Sequence, residues 1–217
     1  MTDHDTRHMF DQTAWEERYG SPRAVWSGHP NPQLVTEASD LPGGTALDVG
    51  CGEGADAIWL ATRGWMVTAA DFSRTALARA VTHAADAGVA DHITWTHADL
   101  RTTSPGGPFD LVSAQYMYLL PDLRRALFAR LAAAVAPGGT LLVVGHDLAG
   151  STDHPMPPEI FYTAEEIAGT LDPDAWTILV SEARPRPLTD AAARHRSETE
   201  GHEHSVPDTV LRAVRRT

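Results

Sequence analysis

From residue 45 onward the apolar positions fall into short runs separated by stretches with helical spacing, and this alternation predicts the order of elements. Thr45 to Val49 is an apolar run that ends in glycines and predicts a first strand. Asp56 to Arg63 predicts a helix closed by Gly64. Met66 to Ala70 predicts a second strand ending at Asp71, and Ser73 is placed to cap a helix that runs to about Ala87, with Gly88 as its stop. Ile93 to His97 and Asp110 to Ala114 predict strands three and four. Leu123 to Val135 predicts a helix stopped by Pro137-Gly138-Gly139. Thr140 to Gly145 is apolar throughout and predicts a fifth strand buried on both faces. Residues 163–170 predict a helix, and Trp176 to Glu182 a sixth strand. Strands spaced by helices predict a parallel, doubly wound α/β sheet.

Outside this frame the pattern is weaker. Residues 1–12 show no apolar periodicity, and Thr13 to Gly20 predicts a short helix with Trp15 and Tyr19 four apart on one face. Val25 to Pro32 is rich in turn residues, and Gln33 to Ser39 predicts a further short helix. The aromatic residues of this piece need a surface to bury against, so residues 1–39 are expected to form a helical cap. Residues 40–183 then form the core and residues 184–217 a C-terminal extension of the same domain. Within that extension 184–204 reads as a surface loop. A closing amphipathic helical turn or two follows, with Val206, Val210, Leu211 and Val214 on one side.

Composition narrows the function. All 17 basic residues are arginine, so Schiff-base chemistry, pyridoxal-phosphate enzymes and the phosphate-loop lysine of NTPases are excluded. The net charge of −12 disfavours nucleic acid and anionic membrane surfaces as partners. Cys51 is the one cysteine, which rules out an internal disulfide and a CxxC pair. With no long apolar run and a polar, acidic N-terminus, the expectation is a soluble, cytoplasmic, single-domain protein, monomer or homodimer.

The sharpest local signal is Leu47-Asp48-Val49-Gly50-Cys51-Gly52-Glu53-Gly54, a glycine loop between the first strand and its helix. Such a loop lets backbone approach a ligand closely, with helix N-terminal amides facing it. Asp71, ending the second strand, is positioned to accept both hydrogens of a ribose diol. The spacing GxGxG departs from the dinucleotide fingerprint GxGxxG. Asp48 ahead of it would repel a pyrophosphate and attract an ammonium group. An amino-acid-bearing nucleoside is therefore expected rather than NAD.

Asp48-Val-Gly-Cys-Gly-Glu-Gly, Asp71-Phe-Ser, His97-Ala-Asp99-Leu100, Phe109-Asp110-Leu-Val and Ala136-Pro-Gly-Gly139 resemble, in order and spacing, the motifs of class I S-adenosylmethionine-dependent methyltransferases. The resemblance covers about residues 40–146. Trp15, Tyr19, Trp26 and Pro30-Asn31-Pro32-Gln33-Leu34 are similar to the cap of thiopurine- and tellurite-type small-molecule methyltransferases. It implies a Rossmann-like, mostly parallel seven-stranded sheet with helices on both faces, and S-adenosylmethionine as cofactor. It further implies that Gly50, Cys51 and Gly52 hold the methionine part and that Asp48 orients its ammonium. Asp71 would bind ribose, Phe72 lie against adenine, Asp99 accept from the adenine amino group and Leu100 offer a backbone amide. Gln115 would floor the methyl-donor pocket, and Trp15, Tyr19 and Trp26 would cover the cofactor or simply pack the cap.

For the acceptor side, candidates follow strands four and five: Tyr116, Tyr118 and His146. His146 is the best-placed proton acceptor, since imidazole titrates near neutral pH. The expected reaction is O-methylation of a small hydroxylated metabolite, with S- or chalcogen-methylation or a non-catalytic cofactor-binding protein as alternatives. His29 and His154 are candidate pocket residues. The cluster His195, His202 and His204 could hold a divalent metal, although a solvated acidic loop is the simpler reading and no metal is expected.

Overall fold

The computed structural model describes residues 12–21, 25–148, 156–185 and 207–217. Seven strands are present: β1 (Thr45–Val49), β2 (Met66–Asp71), β3 (Ile93–His97), β4 (Phe109–Gln115), β5 (Val135–His146), β6 (Trp176–Arg184) and β7 (Asp208–Arg215). They form one sheet in the order β3-β2-β1-β4-β5-β7-β6. The first five strands pair in parallel, and β7 runs antiparallel to both β5 and β6. The helices are α1 (Gln12–Gly20), α2 (Pro32–Ala38), α3 (Ala55–Thr62), α4 (Arg74–Asp86), α5 (Pro121–Ala133) and α6 (Ala164–Ala168).

Local chemistry accounts for several element ends. Asn31 caps α2 by accepting the Gln33 amide at 2.9 Å, and Pro32 opens the helix, where a missing N–H costs nothing. Ser73 caps α4 through the Ala76 amide at 3.1 Å, as its sequence position predicts. β5 starts at Val135, earlier than expected. The Pro137–Gly139 segment is absorbed as a pairing irregularity between Phe109↔Val135 and Leu111↔Thr140.

The central strands of the sheet are buried on both faces, while much of the edge strand β6 is exposed. Leu141 and Val143 of β5 pack with Leu127, Phe128 and Leu131 of α5, whereas Leu142 and Val144 pack with Leu34 of α2 and Leu60 of α3. Successive β5 residues thus serve two cores, which is why this strand is apolar without alternation.

The closing segment corrects the sequence reading. Residues 208–215 are not a helical turn but β7, inserted between β5 and β6. Val210 joins one core and Leu211 the other. The spacing of Val206, Val210 and Val214 suits a helix, but β-branched residues prefer a pleated surface, and pairing on both sides outweighs the helical spacing. Val206 itself lies outside the described residues.

Candidate active site

The carboxyl ends of β1, β2, β4 and β5 meet at one edge of the sheet, and the site is built there. Gly50, Gly52 and Gly54 all have left-handed backbone, with φ of +68°, +52° and +87°. The loop is pinned to β2 by the Gly50 and Cys51 amides, which donate to Ala70 O at 2.8 and 3.1 Å. A Cβ on Gly52 would lie 2.9 Å from the Tyr19 hydroxyl oxygen, so at this position both conformation and space require glycine. Cys51 is buried, and its thiol is pushed up by burial and by the nearby Asp48 and Asp71. That setting suits a small loop residue rather than a nucleophile.

Three carboxylates surround the loop. Asp48 is 2 % exposed, and its Oδ2 has no hydrogen-bond partner among the described residues. Burial, then the charges of Asp56 and Asp71, hold its pKa well above the usual carboxylate range. Asp56, in the first turn of α3, accepts the Asn31 amide at 2.7 Å, and burial raises it to about 6. Asp71 receives the Gly52 amide on Oδ2 at 2.9 Å and the Ser73 amide on Oδ1 at 2.7 Å. Burial raises it too, against those two bonds. A buried carboxylate oxygen without a donor, beside a backbone cradle that only glycine leaves open, fits a nucleoside carrying an ammonium group.

The cap lies on this loop. Tyr19 is buried, Trp26 Nε1 donates to its hydroxyl at 2.9 Å, and Trp15 lies 5.7 Å from Tyr19 and 5.9 Å from Trp26, centroid to centroid. The cation over the Trp15 face is Arg18, at 4.6 Å. Glu53, which the sequence reading passed over, fastens the cap. Its carboxylate accepts the Val25 and Trp26 amides at 3.4 and 3.3 Å and pairs with Arg79 at 2.7 Å. Arg79 also donates to Ser21 O. An acid inside a glycine loop is the sequence signal for such a fastening.

On the expected adenine side, one residue not singled out from sequence occupies both recognition groups. Arg101 Nε and Nη2 bind the Asp99 carboxylate, each at 2.8 Å, while the guanidinium lies 5.3 Å from the Phe72 ring centroid. Burial works to raise Asp99, but the bonds from Arg101 hold it below its ordinary value. Leu100 is a core residue of the α5 side.

The expected acceptor side gathers residues from four distant stretches. Gln115 ends β4, accepts from Asn31 Nδ2 at 2.9 Å and donates to Ser113 Oγ at 2.7 Å, which ties the cap to the end of β4. Tyr116 is the one described non-glycine residue with positive φ, +52°. Its ring lies 4.6 Å from that of His146, and its hydroxyl donates to Asp208 Oδ1 at 3.1 Å. Tyr118 lies 6.0 Å from His146 and 6.2 Å from Phe161. His146 Nδ1 is 3.5 Å from Asp208 Oδ1. Asp208 is fully buried and also receives Gln33 Nε2 at 3.2 Å on its other oxygen. Asp208 was missed because its segment was read as helical.

Among the other candidates, His29 is exposed, with its amide 3.3 Å from Ser27 Oγ. His154, His195, His202 and His204 lie outside the described residues. Among the described residues no group of three or more His, Cys, Asp or Glu is placed to hold a metal, and no helix is long and apolar enough to cross a membrane.

Residues 46–139 match the family model described as a methyltransferase domain. The chain is 45% identical over 123 residues to an uncharacterized methyltransferase of Mycobacterium tuberculosis, covering 55% of this chain and 59% of that protein. It is 32% identical over 144 residues to a 2-heptyl-1-hydroxyquinolin-4(1H)-one methyltransferase of Mycobacteroides abscessus, covering 64% and 60%. It is 28% identical over 135 residues to a probable thiol methyltransferase of Arabidopsis thaliana, covering 60% of each. The chain thus spans about three fifths of the length of these curated relatives. Among solved structures, one from a study of disulfide-to-thioacetal conversion in echinomycin biosynthesis superposes with a TM-score of 0.70 at 24% identity, covering 96% of this chain and 91% of that one.

Proposed function

We propose, from the premise that this chain belongs to the class I S-adenosylmethionine-dependent methyltransferases, that it methylates the hydroxyl group of a small hydroxylated molecule, with His146 as the base. When bound, S-adenosylmethionine supplies an electrophilic methyl group, and the electrons of the broken C–S bond stay on sulfur as S-adenosylhomocysteine. The orphaned Asp48 oxygen and the loop amides would hold the methionine end, and Asp71 the ribose.

The observation that carries the acceptor reading is His146 at the carboxyl end of β5, packed on Tyr116 and close to Tyr118. With Nδ1 turned towards Asp208, Nε2 is the nitrogen left to receive the acceptor's proton as oxygen attacks. The rings of Tyr116, Tyr118 and Phe161 favour a flat acceptor, and the relative named for a hydroxyquinolinone supports a hydroxylated heteroaromatic. The charge of −12 supports a small acceptor over a nucleic acid.

A second reading, transfer to sulfur, is favoured by the thiol methyltransferase relative. A thiolate has no proton to lose, so that reaction leaves His146 without a role. Turnover of His146→Gln on a panel of phenols, N-hydroxyheteroaromatics and thiols separates the two. The hydroxyl reading expects a loss of about 10²–10⁴-fold on hydroxyl acceptors, with cofactor affinity unchanged. Wild-type rates on hydroxyl acceptors would remove it.

A further inference from the structure

We infer that Asp208 is the positioning residue of this site: its buried carboxylate sets the His146 ring with the proton on Nδ1 and offers the counter-charge for the imidazolium formed when Nε2 takes the acceptor's proton. The inference rests on His146 being the base, and it assigns a role to a residue well beyond the last recognisable motif, which ends at Gly139.

The backbone carries the first part of the argument. His146 and Asp208 are directly opposite one another in the β5–β7 ladder, so their side chains leave the same face of the sheet. The ladder continues one step further, with the Asp147 amide donating to Pro207 O at 2.8 Å, so neither residue sits on a loose end. The 3.5 Å from Nδ1 to Oδ1 is just longer than a hydrogen bond, and Nδ1 has no other hydrogen-bond partner among the described residues. Catalytic hydrogen bonds are often long in a site without its ligands and tighten when those bind.

Charge carries the second part. Asp208 is 0 % exposed, yet among the described residues its other hydrogen-bond partners are the neutral Tyr116 hydroxyl and Gln33 amide. Two described arginines on this side of the sheet pair with Glu37. Arg184 pairs with Glu37 at 2.7 Å and Arg212 with the same carboxylate at 3.5 Å. Arg184 also donates to Gln33 Oε1 at 3.2 Å, which fixes the amide so that its NH₂ faces Asp208. Among the described residues no guanidinium bonds Asp208 directly, although Arg184 lies opposite it in the β6–β7 ladder, so a carboxylate this deep is further balanced when an imidazolium forms beside it. Tyr116 adopts a left-handed backbone, and that conformation brings its hydroxyl to the same oxygen.

The experiment has two arms. In wild-type protein with ¹⁵N-labelled histidine, long-range proton–nitrogen correlation spectra should show neutral His146 protonated on Nδ1. Protonation on Nε2 would overturn the proposal whatever the acceptor. In the second arm Asp208→Asn is assayed with a phenol that the wild type methylates and with thiophenol, which is already a thiolate at neutral pH. The expected result is a kcat loss of about hundredfold or more on the phenol. KM and S-adenosylhomocysteine affinity should stay within about twofold, and thiophenol turnover within about threefold. Equal losses on both acceptors would assign Asp208 a structural role only. No loss with Asp208→Asn while His146→Gln is crippled would reject the positioning role and keep the base. No loss in either variant would reject the base itself.

Discussion

The two halves of this site are assembled differently. The proposed cofactor half is written in contiguous stretches: residues 48–56 make the loop and two of its acids, 71–73 the third acid with its cap, and 99–101 the expected adenine side. The proposed acceptor half joins Gln33, Tyr116, His146 and Asp208, and the hydrogen bond between Gln33 and Asp208 spans 175 positions. A cofactor that is the same in every member of a family can be met by a fixed local motif. An acceptor that changes from member to member is met by side chains that the fold brings together from its edges. The contrast predicts that perturbing the first half disturbs binding through backbone geometry, while perturbing the second acts through tertiary packing.

The hardest test of the division is Leu211→Ala. Leu211 is fully buried in the core formed with α5, on the strand that also carries Asp208. Truncation should cost about 2–5 kcal/mol of stability by opening a cavity in the middle of the sheet. If β7 belongs to one cooperative domain, chemical denaturation followed by fluorescence and by cofactor binding should give coincident transitions, both shifted. Cofactor binding surviving past the fluorescence transition would mean that the acceptor half is a separable addition.

The same strand marks where sequence reasoning stopped. The motif region was legible because strand ends, glycine turns and caps are local: Ser73 and the loop glycines do what their sequence positions predict, while Asp71, expected to take a ribose, accepts the Gly52 and Ser73 amides. Asp208 was not legible because its role depends on β7 pairing with both β5 and β6, and the local preference of its β-branched residues for a strand is set against a spacing that suits a helix. Glu53 and Arg101 were missed for a related reason. Each acts on a partner, the cap backbone or Phe72, whose location only the folded chain reveals.

Within the cofactor half, Gly52→Ala should weaken S-adenosylhomocysteine binding by about 10- to 100-fold in calorimetric titration. Placing an L residue in the left-handed region costs about 1–2 kcal/mol, and the new Cβ would press on the Tyr19 hydroxyl 2.9 Å away. Hydroxyl-acceptor chemistry at saturating cofactor should change little. A fall in kcat as large as the fall in affinity would show that the two halves are coupled through the cap.

Acidity gives a subtler handle on the same half. Asp56 is raised to about 6 and Asp48 well above its ordinary range, chiefly by burial. For acids whose folded pKa is raised, stability is full at low pH and is lost as pH rises through the folded values, so the free protein should weaken from about pH 4 to beyond pH 6. An ammonium group favours the ionised pair. Cofactor affinity should therefore rise across that window, by up to about tenfold per pH unit for each proton released. Isothermal titration in buffers of different ionisation enthalpy reads the proton release directly. Affinity and heat independent of pH and buffer would mean that Asp48 and Asp56 do not face the ammonium.

The smallest effect expected separates a recognition group from a placeholder. Arg101 covers the Phe72 face and occupies the Asp99 carboxylate, the two groups expected to meet adenine. Both contacts are partly solvated, with side chains 23% and 30% exposed for the ion pair, so each is worth at most about 1 kcal/mol. If adenine takes the place of the guanidinium, Arg101→Ala removes a competitor, and S-adenosylhomocysteine should bind a few-fold tighter, with no change in the kcat of methyl transfer. If the guanidinium instead moves to stack on the far face of adenine, the same variant binds a few-fold more weakly. Adenosine alone, titrated against wild type and variant, should show the same change as the whole cofactor. A change confined to the whole cofactor would place the effect of Arg101 outside the adenine site and leave the carboxylate of Asp99 with a structural role at the end of β3.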